Sequence, residues 1–118
     1  MAVRHLEAEV RQERGRAILD LRGEINGFAE EALNTAYAQA DAKDTKTILL
    51  NFKGVDYINS TGIALIVGLL ARARASHKRL LACNLSEHYV EIFEITRLSD
   101  YIGVFPDEKS AMSETSVS

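Results

Sequence analysis

A chain of 118 residues, 47% hydrophobic and 26% charged, has enough apolar side chains for one core, too many to remain disordered, and suits a single domain. Its formal charge of -3 gives no electrostatic footprint for nucleic acid. Its single Cys83 cannot close an internal disulfide, and its longest apolar run, Gly62 to Ala71, is about half of what a bilayer-crossing helix needs. The N-terminus shows no signal-peptide pattern, so a cytoplasmic protein without membrane or direct nucleic-acid partners is expected.

In chain order, Val3 to Val10 interleaves apolar and charged residues and reads as an edge strand, followed by a turn over Gln12 to Gly15. Arg16 to Leu21 pairs with it as a hairpin, and Gly23 to Gly27 follows as a loop. Phe28, Ala32, Leu33, Ala36, Tyr37 and Ala40 recur at helical spacing and predict an amphipathic helix on the sheet. Thr47 to Phe52 is a short apolar run suited to a strand buried on both faces. A short polar turn then leads into the helix that begins near Asn59-Ser60-Thr61, any one of which can cap it.

On that helix, Ile63, Ile66, Val67 and Leu70 share one face. Leu65, Gly68 and Arg72 lie opposite, with Ala64 and Leu69 at the borders. Either loops or a neighbouring helix cover the second face, or it is a docking surface that Gly68 lets a partner approach. Arg72, Arg74, His77, Lys78 and Arg79 cluster around the helix end, where cations complement its dipole. Arg79 to Cys83 is the next strand, with Cys83 expected as a buried thiol. Ser86 caps a helix over His88 to Ile95, Thr96 to Asp100 turns, and Tyr101 to Phe105 is a last strand stopped by Pro106. Asp107 to Met112 makes one or two helical turns before a frayed tail, 113–118. The order β-β-α-β-α-β-α-β-α requires an α/β fold with a mixed sheet of about five strands and about four helices.

Enzyme signatures are weak. Asn59-Ser60-Thr61-Gly62 lacks the glycine two residues before the serine that a hydrolase elbow uses, and His88 has no visible triad pattern to join. His5, His77 and His88 are widely spaced, with no metal-ligand pattern, and Lys53-Gly54 does not make a phosphate-binding loop. No catalytic residue, metal or cofactor is expected. A hydroxyl at the start of a helix sits at the positive end of its dipole, however, and can carry a phosphate without unfolding anything.

The run Leu50 to Gly68, with Leu21-Arg22-Gly23-Glu24-Ile25-Asn26, resembles the STAS domain of bacterial anti-sigma factor antagonists over about residues 3 to 112. The resemblance implies one STAS-like domain spanning 1–112. It sets Gly23-Glu24-Ile25-Asn26 against the family's Gly-Glu-Leu-Asp loop, and Asn59-Ser60-Thr61-Gly62-Ile63-Ala64 against its Asp-Ser-Ser/Thr-Gly-Leu-Gly turn. It makes Ser60 the phosphorylation site, with Thr61 as second choice. The implied docking surface comprises Glu24, Asn26, Asn59, Ser60, Thr61, Gly62, Ala64, Leu65, Gly68, Leu69 and Arg72. The implied partners are an anti-sigma factor serine kinase and a phosphatase for the phosphorylated form, and self-association is compatible with the sequence.

Both family aspartates are asparagines here, Asn26 and Asn59, which preserves capping geometry but removes two negative charges beside the hydroxyl. The competing readings are a scaffold or ligand-sensing module of a larger signalling assembly and, more remotely, a small hydrolase using Ser60. If Leu65 belongs to the docking face, Leu65→Asp should leave the fold intact while Ile66→Asp unfolds it.

Overall fold

The computed structural model describes residues 4–115, with side chains described as far as Ser113. Five strands form one sheet in the order β1-β2-β3-β4-β5: β1 (Glu7–Glu13), β2 (Arg16–Ile25), β3 (Thr47–Ile58), β4 (Arg79–Cys83) and β5 (Gly103–Phe105). Only β1 and β2 are antiparallel; every other neighbouring pair is parallel and joined through one of the helices α1 (Glu30–Ala40), α2 (Ser60–Ala75) and α3 (Glu87–Ile95). The expected element order and mixed sheet are therefore present.

Alternation along the strands divides the core between the two faces of the sheet. Ala17, Leu19 and Leu21 of β2, with Ile48, Leu50 and Phe52 of β3, pack beneath α1, α2 and α3. There Leu33 and Tyr37, Ile66 and Leu69, and Phe93 supply the helix side of the contact. The Phe52 and Phe93 rings meet edge to face at 6.2 Å between centroids. On the other face, Ile18, Leu49, Leu81 and Cys83 pack against Ala111 and Met112 of a single helix, α4 (Glu108–Thr115). Burial pushes the Cys83 thiol up to about 12, so it is an inert filler of that core, as expected.

Toward β1 the second face is polar. Arg11 on β1 donates to Asp20 of β2 and to Glu108 of α4, each at 2.6 Å, and Arg22 donates to Glu9 at 2.7 Å. Hydrogen bonding from Arg11 holds the Asp20 carboxyl below the usual carboxylate range, against the opposing effect of its partial burial.

The structure corrects several boundaries. β1 begins at Glu7 and runs to Glu13 rather than spanning Val3 to Val10, because Arg11, Gln12 and Glu13 pair with Ile18, Ala17 and Arg16; Val3 lies outside the described residues. The segment expected as a loop from Gly23 is strand through Ile25, since Gly23, Glu24 and Ile25 pair with Val55, Tyr57 and Ile58 across two register shifts. Gly23 adopts φ +108, and a side chain there would overlap the carbonyl of His5. The first helix starts at Glu30. Asn26 caps a short 3-10 turn over Gly27–Ala29 that buries Ala29 and turns Phe28 outward, leaving it 84% exposed. At the far end, Asp107 accepts from Ser110 N at 2.8 Å and starts α4, which runs to Thr115, past the expected end of the helix at Met112; residues 116–118 lie outside those described.

Candidate functional site

The ends of β2 and β3 and the first turn of α2 are locked together by short backbone contacts. Ile25 and Ile58 are register partners, and Asn59 N donates to Ile25 O at 3.2 Å. One turn into the helix, Gly62 presses on the same carbonyl: a Cβ at 62 would overlap Ile25 O. Only glycine allows α2 to start so close to β2. Gly62 is thus buried and shapes the site from within, which corrects its expected place on the docking surface.

Of the three candidate caps, the structure selects Asn59. Its backbone is extended and its Oδ1 accepts from Gly62 N at 2.8 Å, while Ile63 N donates to Asn59 O at 2.9 Å. Ser60 is therefore the first residue inside the helix. Its hydroxyl is exposed and makes no hydrogen bond among the described residues, and the same is true of Thr61. Asn26 performs the matching task next door, its Oδ1 accepting from Phe28 N at 2.9 Å. A side chain added at Gly27 would touch the Thr61 methyl at 3.6 Å, so the 3-10 turn and the start of α2 present one continuous surface. Both asparagines act here as hydrogen-bond acceptors, a task an amide oxygen performs as well as a carboxylate.

Along α2 the buried stripe is Gly62, Ile66, Leu69, Leu70 and Ala73. Leu69 is 1% exposed and belongs to the core, not to a partner surface. Val67, expected in the core, is 44% exposed, and Leu65, expected opposite the core, is half-buried against it. The buried stripe is thus rotated from the predicted one, because the close seat of Gly62 on β2 sets the phase of the helix. The outward side carries Ala64, Val67, Gly68 and Ala71, and nothing lies within 4 Å of a Cβ built on Gly68. Arg72 is exposed yet engaged: its guanidinium lies 4.4 Å from the centre of the Tyr37 ring and donates to Asn34 Oδ1 at 3.3 Å, tying α2 to α1. Glu24 is half-buried in β2 opposite Tyr57.

Three exposed apolar residues of this region were not among the expected site residues: Phe28, Val67 and Tyr57, the last 52% exposed. The position of Phe28 directly after a capping asparagine, and the alternation of Tyr57 with buried Ile58, are the signals that could have found two of them.

On the opposite side of Ser60, an open cleft of about 320 Å³ separates α2 from α3. Ile58, Ile63 and Ile92 line it, together with the exposed Ser60 and His88. Tyr89 also lines it and joins α3 to the sheet, its hydroxyl accepting from Ile58 N at 2.9 Å. The cleft brings Ser60 and His88 together, but no hydrogen bond joins them and no carboxylate hydrogen-bonds the imidazole among the described residues, so the elements of a nucleophile-base-acid relay are not assembled. Among those residues, no cluster of histidine, cysteine or carboxylate side chains could hold a metal ion, and no helix is long and apolar enough to cross a membrane.

Comparison with known proteins gives a consistent result. A family profile described as the STAS domain matches residues 7–111. The anti-sigma-B factor antagonist of Staphylococcus aureus (strain NCTC 8325) is 30% identical over 82 residues, covering 70% of this chain and 76% of its own. Among solved structures, the anti-sigma factor antagonist SpoIIAA in its unphosphorylated form superposes with a TM-score of 0.70 at 20% identity, over 94% of this chain and 99% of its own. The Bacillus cell fate determinant SpoIIAA in its phosphorylated form gives 0.67 at 22% identity, over 92% and 98%. These superpositions establish the fold.

Proposed function

The chain belongs to the STAS domain family, and within that family we propose that it is an anti-sigma factor antagonist switched by phosphorylation of Ser60. In the unphosphorylated state it docks on an anti-sigma factor that is also a serine kinase, and so releases a sigma factor. The docking surface runs from the Asn26–Phe28 turn and Glu24 across Asn59, Ser60 and Thr61 to the outward residues of α2, Ala64, Val67, Gly68 and Arg72, with Leu65 at its edge. The observation that carries this reading is the division of labour at the start of α2: Asn59 holds the cap and leaves the Ser60 hydroxyl exposed and unbonded.

Transfer of the γ-phosphoryl group of ATP to Ser60 Oγ releases ADP and a proton, and a phosphatase returns the serine by hydrolysis. The product adds about -1.5 to -2 charges. The fold tolerates them because they stand at the positive end of the α2 dipole, beside first-turn amides without helical acceptors. A partner packed against Ala64 and Gly68 beside Ser60 does not tolerate them, since it would have to strip water from a dianion. Replacing aspartate by Asn26 and Asn59 leaves both turns capped.

A titration of the partner kinase with three forms of the protein tests this. Ser60→Ala should bind like the wild type, and Ser60→Asp should bind about tenfold or more weakly, a cost of about 1.4 kcal/mol. Equal binding of all three would overturn the switch.

A further inference from the structure

We propose that the cleft between the first turn of α2 and α3 is the seat of the phosphoryl group on Ser60, with His88 as its counter-cation; this rests on the reading that Ser60 is the phosphorylated residue. Ser60 and His88 line the same cleft, both are exposed, and neither side chain is committed to another hydrogen bond among the described residues. The His88 ring packs edge to face on Tyr89 at 4.9 Å, and Tyr89 is itself fixed by the bond from Ile58 N. In that bond the phenol oxygen accepts, so its hydrogen is left to donate. The α2 side supplies further donors. With Gly62 N bound to Asn59 Oδ1 and Ile63 N to Asn59 O, the N–H groups of Ser60 and Thr61 have no helical acceptor.

The apolar lining of Ile58, Ile63 and Ile92 offers the phosphate and the imidazolium no competing hydrogen-bonding group. No carboxylate lines the cleft, and Asn59 stands where an acid would repel the dianion. The β3 and α2 residues that line it carry no acid or base beyond the Ser60 hydroxyl itself. On α3, Tyr89 is the other ionisable group in the lining, with Glu87 and Glu91 neighbouring His88 along the helix; Asp56, near the end of β3, is already paired with Arg4. The imidazolium form of His88 pairs with the phosphate and holds it in the cleft, away from a phosphatase.

The protein carrying phosphoserine at 60, installed during translation so that no kinase is required, provides the test. Phosphorus NMR should follow the second phosphate ionisation against pH in this protein and in its His88→Gln form. The phosphate midpoint should lie about half a pH unit or more lower with His88 than with Gln. Identical phosphate curves in the two proteins would overturn the seat. Failure of a kinase to label Ser60 would instead strike the switch proposed above and leave this titration standing.

Discussion

Two serines open two helices in this fold, and their hydroxyls have opposite fates. Ser86 is itself the cap of α3, its Oγ accepting from Tyr89 N at 3.5 Å. Ser60 stands one position further in, because Asn59 has taken the cap of α2 with a bond of 2.8 Å, and its hydroxyl is bound to nothing in the described structure. A modified Ser86 would have to give up a structural bond, whereas a modified Ser60 gives up only contacts with water. One preceding asparagine therefore converts a structural serine position into an available one. The same end of α2 is held rigid by the close seat of Gly62 on Ile25, so the hydroxyl is presented from a fixed frame.

The largest effect should come from removing that frame. Gly62→Ala places a methyl group into the carbonyl of Ile25 and should cost about 3 kcal/mol or more in a urea or thermal melt. Gly68→Ala on the same helix is the control: it meets nothing within 4 Å and should stabilise by about 0.5–1 kcal/mol through helix propensity, yet weaken docking of the kinase. Equal effects on stability would break the contrast between the seated and the outward side of α2.

Next in size are the acidic substitutions. Ile66→Asp buries an unpaired carboxylate at a position that is 0% exposed and should unfold the domain. Leu65→Asp, expected from the sequence to be nearly neutral, should cost about 1–2 kcal/mol, because Leu65 packs partly on the core. Melts that coincide would make Leu65 a full core residue and remove it from the edge of the proposed docking surface.

The caps come last. Asn59→Ala should cost about 1 kcal/mol, Asn59→Asp should be close to neutral, and Ser86→Ala should cost about 0.5 kcal/mol, since its bond is long. A loss on Ser86→Ala larger than that on Asn59→Ala would reverse the proposed division between the two serines.

Much of this architecture was legible in the sequence, and the failures share a cause. Continuous apolar runs such as Thr47 to Phe52 and Arg79 to Cys83 mark strands buried on both faces, and the capping residue Ser86 announces α3. Local patterns did not reveal where tertiary pairing prolongs an element. Gly23 and Glu24 look like loop residues until β3 supplies their partners, and Gln12 and Glu13 look like a turn until β2 does. Helix phase failed for the same reason. An apolar count places Val67 inside and Leu69 at a border, but the contact between Gly62 and Ile25 sets the rotation and reverses them. Ser60 is proposed as the switch from its motif, but its unbonded hydroxyl was not legible, because Asn59, Ser60 and Thr61 are all competent caps and only the fold chooses among them.

We propose Ser60, and not a neighbouring hydroxyl, as the switch. Incubating the protein with ATP and the anti-sigma factor kinase of its own organism, then combining intact mass with phosphopeptide mapping, decides between them. One phosphoryl group on Ser60, abolished by Ser60→Ala and unaffected by Ser86→Ala, is the predicted result. A kinase that binds the protein but labels Thr61 or Ser86, or transfers nothing, would contradict it.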